Sequence, residues 1–128
     1  MSQHILVVDD EVQIRELLSV YLQRQGYAVT TAATSEETLR ALGQSPIDLV
    51  VLDIGLANED GLRLLTEIKA AYANVRVIML TGMGFVEDLL LEAQQKGADG
   101  YVSKVLPLDE LLMAIQRVSK PAHAASAA

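Results

Sequence analysis

Ile47-Asp48-Leu49-Val50-Val51-Leu52, followed by Asp53, is the stretch on which the fold turns. It is a nearly continuous apolar run of strand length, with no alternation of polar and apolar residues. Such a run is expected of a strand covered on both faces, as in a parallel sheet between two helical layers. Four more runs of this kind occur, at Ile5–Val8, Tyr27–Thr31, Val75–Leu80 and Tyr101–Ser103.

Amphipathic stretches alternate with these runs. Ile14, Leu17, Leu18, Tyr21 and Leu22 make one apolar stripe at helical spacing, and Gly26 follows as a stop. Thr34-Ser35-Glu36-Glu37 reads as a capping box, with the Thr34 hydroxyl accepting near Glu37 and Glu37 reaching back. A third helix carries Leu62, Leu65, Ile68 and Tyr72. A fourth carries Val86, Leu89, Leu90 and Ala93 and ends at Gly97. A fifth carries Leu108, Leu111, Leu112, Ile115 and Val118, with Pro107 in its first turn. Five βα units imply a doubly wound α/β domain with right-handed crossovers. The expected strand order is the flavodoxin-like 2-1-3-4-5, in one five-stranded parallel sheet with five helices.

The 128 residues suit one domain, expected over 1–120, with 121–128 as an Ala-rich tail or the start of a linker. Half the residues are hydrophobic (51%), enough for a core and too many for a disordered tail. The absence of cysteine excludes disulfides and thiolate chemistry and fits a reducing, cytoplasmic compartment. No apolar run reaches the ~20 residues of a membrane span, and the start lacks the basic residues of a secretion signal. The net charge of −7, without a basic cluster, argues against nucleic-acid binding by this domain alone.

In open α/β sheets the ligand site lies beyond the carboxyl ends of the strands, where strand order reverses. There the first strand ends in Asp9 and Asp10, the third in Asp53, and the fourth in Thr81, while the fifth leads into Lys104. Each has a plainer use: Asp9 or Asp10 as a helix cap, Asp53 as a turn residue before Gly55, Thr81 as a β-former, Lys104 as a solvated lysine. Together they make complementary chemistry at one edge. Crowded carboxylates repel unless a cation neutralises them, and hard oxygen ligands suit Mg²⁺. A carboxylate that attacks phosphorus, with Lys104 and Thr81 as donors to the equatorial oxygens, would suit phosphoryl transfer.

Four segments resemble the receiver-domain family of two-component response regulators. They are Ile5-Leu-Val-Val-Asp-Asp-Glu11, Asp53-Ile-Gly-Leu-Ala-Asn-Glu-Asp-Gly61, Met79-Leu-Thr-Gly82 and Gly97-Ala-Asp-Gly-Tyr-Val-Ser-Lys104. The resemblance runs from Ile5 to about Val118. It implies that Asp53 accepts a phosphoryl group from a histidine kinase or phosphotransfer protein. It implies that Asp10, Asp53 and the Gly55 backbone carbonyl bind Mg²⁺ directly, with Asp9 acting through water. Lys104 would pair with the phosphoryl group, Thr81 would swing in to it, and Tyr101 would turn inward behind. The fourth helix, fifth strand and fifth helix would form the output and homodimer face, with Tyr101 and Met113 as candidate contacts. Gly55 and Met83 would tune phosphoryl lifetime. The protein would be a switch, not a turnover enzyme, catalysing only its own phosphotransfer and autodephosphorylation.

Two departures from the family pattern stand out. Leu56-Ala57 replaces the usual Met-Pro, and Val105 replaces the proline after the lysine. The second predicts a trans Lys104–Val105 bond and a shifted path into the fifth helix. The alternative reading is a pseudo-receiver, a binding module regulated without phosphorylation, but such proteins usually lack one of the five positions retained here. An Asp-nucleophile phosphatase would need Asp-x-Asp on the first strand. An FMN carrier would need a Ser/Thr/Gly-rich first loop where this chain has Asp9-Asp10-Glu11.

Overall fold

The computed structural model describes residues 3–56, 59–82, 87–104 and 107–119. The strands are β1 (His4–Val8), β2 (Ala28–Ala32), β3 (Leu49–Asp53), β4 (Arg76–Thr81) and β5 (Gly100–Ser103). The helices among these residues are α1 (Val12–Arg24), α2 (Ser35–Gln44), α3 (Gly61–Ala71), α4 (Glu87–Gln95) and α5 (Leu108–Ser119). The strands form one parallel sheet in the order β2-β1-β3-β4-β5, as the alternation predicts.

Side chains alternate across the pleat and divide the core in two. Leu6, Val8, Val50, Leu52, Val77 and Met79 pack with Leu42 of α2, Leu65 and Ile68 of α3 and Ala93 of α4. Ile5, Val7, Leu49, Val51, Ile78 and Leu80 pack with Leu18 and Leu22 of α1 and Leu111 and Ile115 of α5. Every residue of β3 is buried, which is why its sequence shows no alternation. The strand starts at Leu49, and just before it the Asp48 carboxylate accepts from His4 N–H at 2.8 Å while the Asp48 N–H donates to the His4 carbonyl at 2.9 Å.

The helix ends follow local chemistry. At Gly26 and Gly97 the backbone takes positive φ, and the flanking N–H groups bond back into the last turns of α1 and α4. Thr34 Oγ1 accepts from Glu37 N–H at 3.1 Å, while the Glu37 carboxylate reaches back to Ala33 N–H at 2.7 Å.

Two expectations are corrected. Leu17 is 50% exposed and does not belong to the buried stripe. It lies roughly 120° around the helix from the midpoint of Leu18 and Leu22, beyond the sheet-facing arc. Helix α5 begins at Leu108, so Pro107 precedes the helix and accepts through its carbonyl from Glu110 N–H at 3.0 Å. Val86, Met83, the Lys104–Val105 bond and the 121–128 tail lie outside the described residues.

Candidate functional site: an acidic cluster at the carboxyl edge of the sheet

Strand register brings the site together. Val8 pairs with Leu52, Asp53 with Leu80, and Thr81 with Ser103, so the strands end nearly level. Asp9, Asp53 and Thr81 are buried there, and Asp10 is exposed. Carboxylate oxygens of Asp9, Asp10 and Asp53 lie within 4.8 Å of one another.

The two buried aspartates are fixed by their own loops. Asp9 Oδ1 accepts from Glu11 N–H at 2.9 Å, and Asp53 Oδ1 accepts from Gly55 N–H at 3.0 Å. These are short Asx-type turns, so the turn use predicted for Asp53 coexists with its place in the cluster, whereas the helix-cap use predicted for Asp9 does not hold: the N-cap of α1 is Glu11, without a side-chain cap bond. Arg15 donates to the Asp9 carbonyl at 2.7 Å and secures the start of α1.

Gly61 explains the spacing from Asp53. A Cβ there would overlap the backbone oxygens of Asp53 and Ile54, the latter at 2.7 Å. Only glycine lets α3 begin this close to the end of β3. Asp60 caps α3 by accepting from Leu62 N–H at 2.9 Å. Glu59 accepts from Ser35 N–H at 3.0 Å and from its hydroxyl, tying this loop to the start of α2. Those two bonds hold the Glu59 carboxyl below its usual range.

Lys104 closes the cluster. Its N–H donates to the Thr81 carbonyl at 2.7 Å, carrying the β4–β5 ladder one residue past Ser103. The ladder fixes its backbone, so the ammonium reaches the site without the proline that usually follows. Nζ lies 2.8 Å from Asp9 Oδ2, 3.1 Å from Asp53 Oδ2 and 3.1 Å from Glu11 Oε1. Burial alone would lower the pKa of this lysine. The carboxylates of Asp9, Glu11 and Asp53 outweigh it and raise the pKa, so the ammonium stays charged. Burial raises the Asp53 pKa, and the Asp9 charge adds to the effect. The Gly55 N–H and the Lys104 ammonium oppose it.

Of the five residues predicted from strand ends, Asp9, Asp10, Asp53 and Lys104 therefore meet through their side chains, and Thr81 joins through its carbonyl, which accepts from Lys104 N–H. Glu11 was missed as a participant, although it stands in the quoted Asp9-Asp10-Glu11 run. Asp60 was also missed, although an Asp before the apolar stripe of α3 is a cap signal. Tyr101 is half-buried against the core layer containing Met79 and Ala93. Met113 is 52% exposed on α5 and does not pack into the core. An open cavity of about 300 Å³ on this face is lined by residues that include Leu90, Gln94, Tyr101 and Arg117.

The cluster suits a hard divalent cation. The spread of its oxygens is near the ~4 Å, twice the Mg–O distance, that separates opposite ligands of Mg²⁺. One partner is exposed to admit water, and two are buried where a cation would relieve repulsion.

A family model described as the response regulator receiver domain matches residues 5–116. The transcriptional regulatory protein GlrR of Escherichia coli (strain K12) is 36% identical over 112 residues, which are 88% of this chain and 25% of that protein. The chain thus spans about a quarter of that relative's length. Sporulation initiation phosphotransferase F of Bacillus subtilis (strain 168) is 32% identical over 117 residues, 91% of this chain and 94% of that protein. A response regulator from Burkholderia pseudomallei, solved with a phosphorylated aspartic acid, a calcium ion and citrate, superposes with a TM-score of 0.83. It is 30% identical, and the match covers 90% of this chain and 67% of that one.

Proposed function

The chain belongs to the response regulator receiver domain family, and from that premise we propose that it is a phosphorylation-controlled signalling switch with Asp53 as the acceptor. The observation that carries this reading is the Lys104 ammonium, 3.1 Å from a buried Asp53 carboxylate that shares a 4.8 Å cluster with Asp9 and Asp10. A pseudo-receiver has no need of that convergence.

The donor is the phosphohistidine of a histidine kinase or phosphotransfer protein. An Asp53 oxygen attacks phosphorus as the P–N bond breaks, and the electron pair leaves on the imidazole nitrogen, which takes up a proton. The Gly55 N–H holds Asp53 Oδ1 and orients the carboxylate, which leaves Oδ2 facing the ammonium. Lys104 then pairs with the phosphoryl oxygens, and the buried Thr81 hydroxyl supplies a further donor from the neighbouring strand end. Asp10, Asp53 and the Gly55 carbonyl would hold Mg²⁺, with Asp9 acting through water. The ion would offset charge on the carboxylates and the incoming phosphoryl group. The protein turns over nothing else; its only reactions are its own phosphorylation and dephosphorylation.

The output is read on the face of α4, β5 and α5, where Tyr101 and the exposed Met113 offer apolar contact to a partner or a second copy of the chain. With a net charge of −7 this domain offers little to a nucleic-acid backbone. No described helix is long and apolar enough to cross a membrane, and a cytoplasmic location fits the kinase partnership.

Acetyl phosphate or phosphoramidate with Mg²⁺ should add one phosphoryl group, seen by intact-mass analysis, and Asp53→Asn should abolish it. An undiminished adduct in the variant would refute the assignment.

A further inference from the structure

One of the three carboxylates around Lys104 lies outside the candidate metal cluster. The ammonium has three hydrogens and three carboxylate neighbours, Asp9, Asp53 and Glu11. Asp9 and Asp53 also belong to the group suited to a divalent cation, and Glu11 does not. A metal ion and an ammonium at the same oxygens repel each other, so the two aspartates are contested. Glu11 is not contested, and with its side chain 60% exposed it carries little burial cost. Its backbone is pinned at the N-cap of α1, with its N–H on Asp9 Oδ1 at 2.9 Å and its carbonyl on Arg15 N–H at 3.1 Å. The lysine stem is long and flexible, so its ammonium can pivot toward the rim while the β4–β5 ladder holds its backbone.

We infer that Glu11 is a positioning residue that retains the Lys104 ammonium at the rim of the site while a divalent cation occupies the Asp9–Asp10–Asp53 group. This rests on the reading of that group as the Mg²⁺ site of a phosphoryl acceptor. With Glu11 present, the ammonium yields the two aspartates without leaving the reach of an incoming phosphoryl group. Without it, both remaining partners of the ammonium are ones the metal needs, and the two cations compete directly.

The test is Mg²⁺ affinity, measured by calorimetric titration of the full chain with MgCl₂. An exposed ion pair is worth ~0.2–1 kcal/mol, so Glu11→Gln should weaken Mg²⁺ binding by about 1.4- to fivefold. The same substitution should have no effect when Lys104 is replaced by Met. Glu11→Asp keeps the charge but withdraws it by one methylene, and should weaken binding as Glu11→Gln does. Equal weakening with and without Lys104, or full affinity in Glu11→Asp, would show that Glu11 acts by charge alone and would overturn the inference. So would unchanged affinity in Glu11→Gln. Wild-type protein that binds no Mg²⁺ would remove the underlying reading and this inference with it. Wild-type binding without coupling to Glu11 removes the inference alone.

Discussion

Replacing Lys104 with methionine removes a cation that touches two buried carboxylates while keeping most of the side-chain volume. The Lys104 side chain is 13% exposed, that of Asp53 5% and that of Asp9 0%, so the charges left behind are desolvated. Breaking a buried pair by deleting one partner costs ~3–5 kcal/mol, because the other charge stays behind uncompensated. The lower end applies here, since the ammonium keeps some contact with water and its third pair, to Glu11, is exposed and worth little. A loss of ~3 kcal/mol in a domain of this size lowers the melting temperature by about 10 °C. It leaves the protein folded if its stability lies in the usual range of ~5–15 kcal/mol. The assay is thermal and urea unfolding followed by circular dichroism, first in EDTA and then in Mg²⁺. Mg²⁺ at a hundredfold excess over its Kd should stabilise the variant by ~2.7 kcal/mol, and it should bind the variant more tightly than wild type because no ammonium competes, which narrows the deficit. The deficit should also shrink in acid, where Asp53, its pKa already raised by burial, takes up a proton. A loss below ~1 kcal/mol in EDTA, the worth of a surface pair, would refute this account of the site. So would a deficit that Mg²⁺ does not repair.

Three further outcomes are expected. Asp10 is exposed, so Asp10→Asn should raise the melting temperature in EDTA by only a degree or two while clearly weakening Mg²⁺ affinity in titration. Asp53→Asn should be more stable than wild type at neutral pH. The folded pKa of Asp53 is raised, so its cost is absent below the unfolded value of ~3.9 and complete above the folded one. Urea titrations across pH should therefore show the gain growing as pH rises through that window; a gain that falls instead would contradict the burial argument. Gly61→Ala drives a methyl against the Asp53 and Ile54 carbonyls and should cost ~1–3 kcal/mol or more, with slower phosphorylation of Asp53 from phosphoramidate. A variant as stable as wild type would show that the start of α3 can move away from β3.

Much of this was legible in the residues before the fold was known. A run such as Leu49–Leu52, apolar at every position, has one comfortable home, a strand with a helical layer on each side. Right-handed crossovers then leave few topologies, and all strands of a parallel sheet point their carboxyl ends the same way. Residues that follow such runs must gather at one edge, and Asp9, Asp10, Asp53, Thr81 and Lys104 follow four of them. Their meeting is a consequence of chain direction, which a sequence does carry.

What that order could not supply is which neighbour faces where. Asp9 and Asp10 are adjacent and chemically alike, yet one is buried on Lys104 and the other is exposed, because the Asp9 N–H still bonds to Ala32 at the end of β2 while Asp10 lies in the bend beyond. Leu17 fits the period of α1 but misses the arc that the sheet covers, and Met113 fits a helix yet stands 52% exposed on α5. Lys104 finds its place through the hydrogen bond from its N–H to Thr81, a partner 23 residues earlier by the numbering. Glu11 meets Lys104 across a separation of 93 residues. Period and strand ends are local properties of a chain, and residue order alone settled them. Burial, facing direction and long-range ion pairs depend on surfaces brought from elsewhere in the chain, and only the packed sheet and its helices decided them.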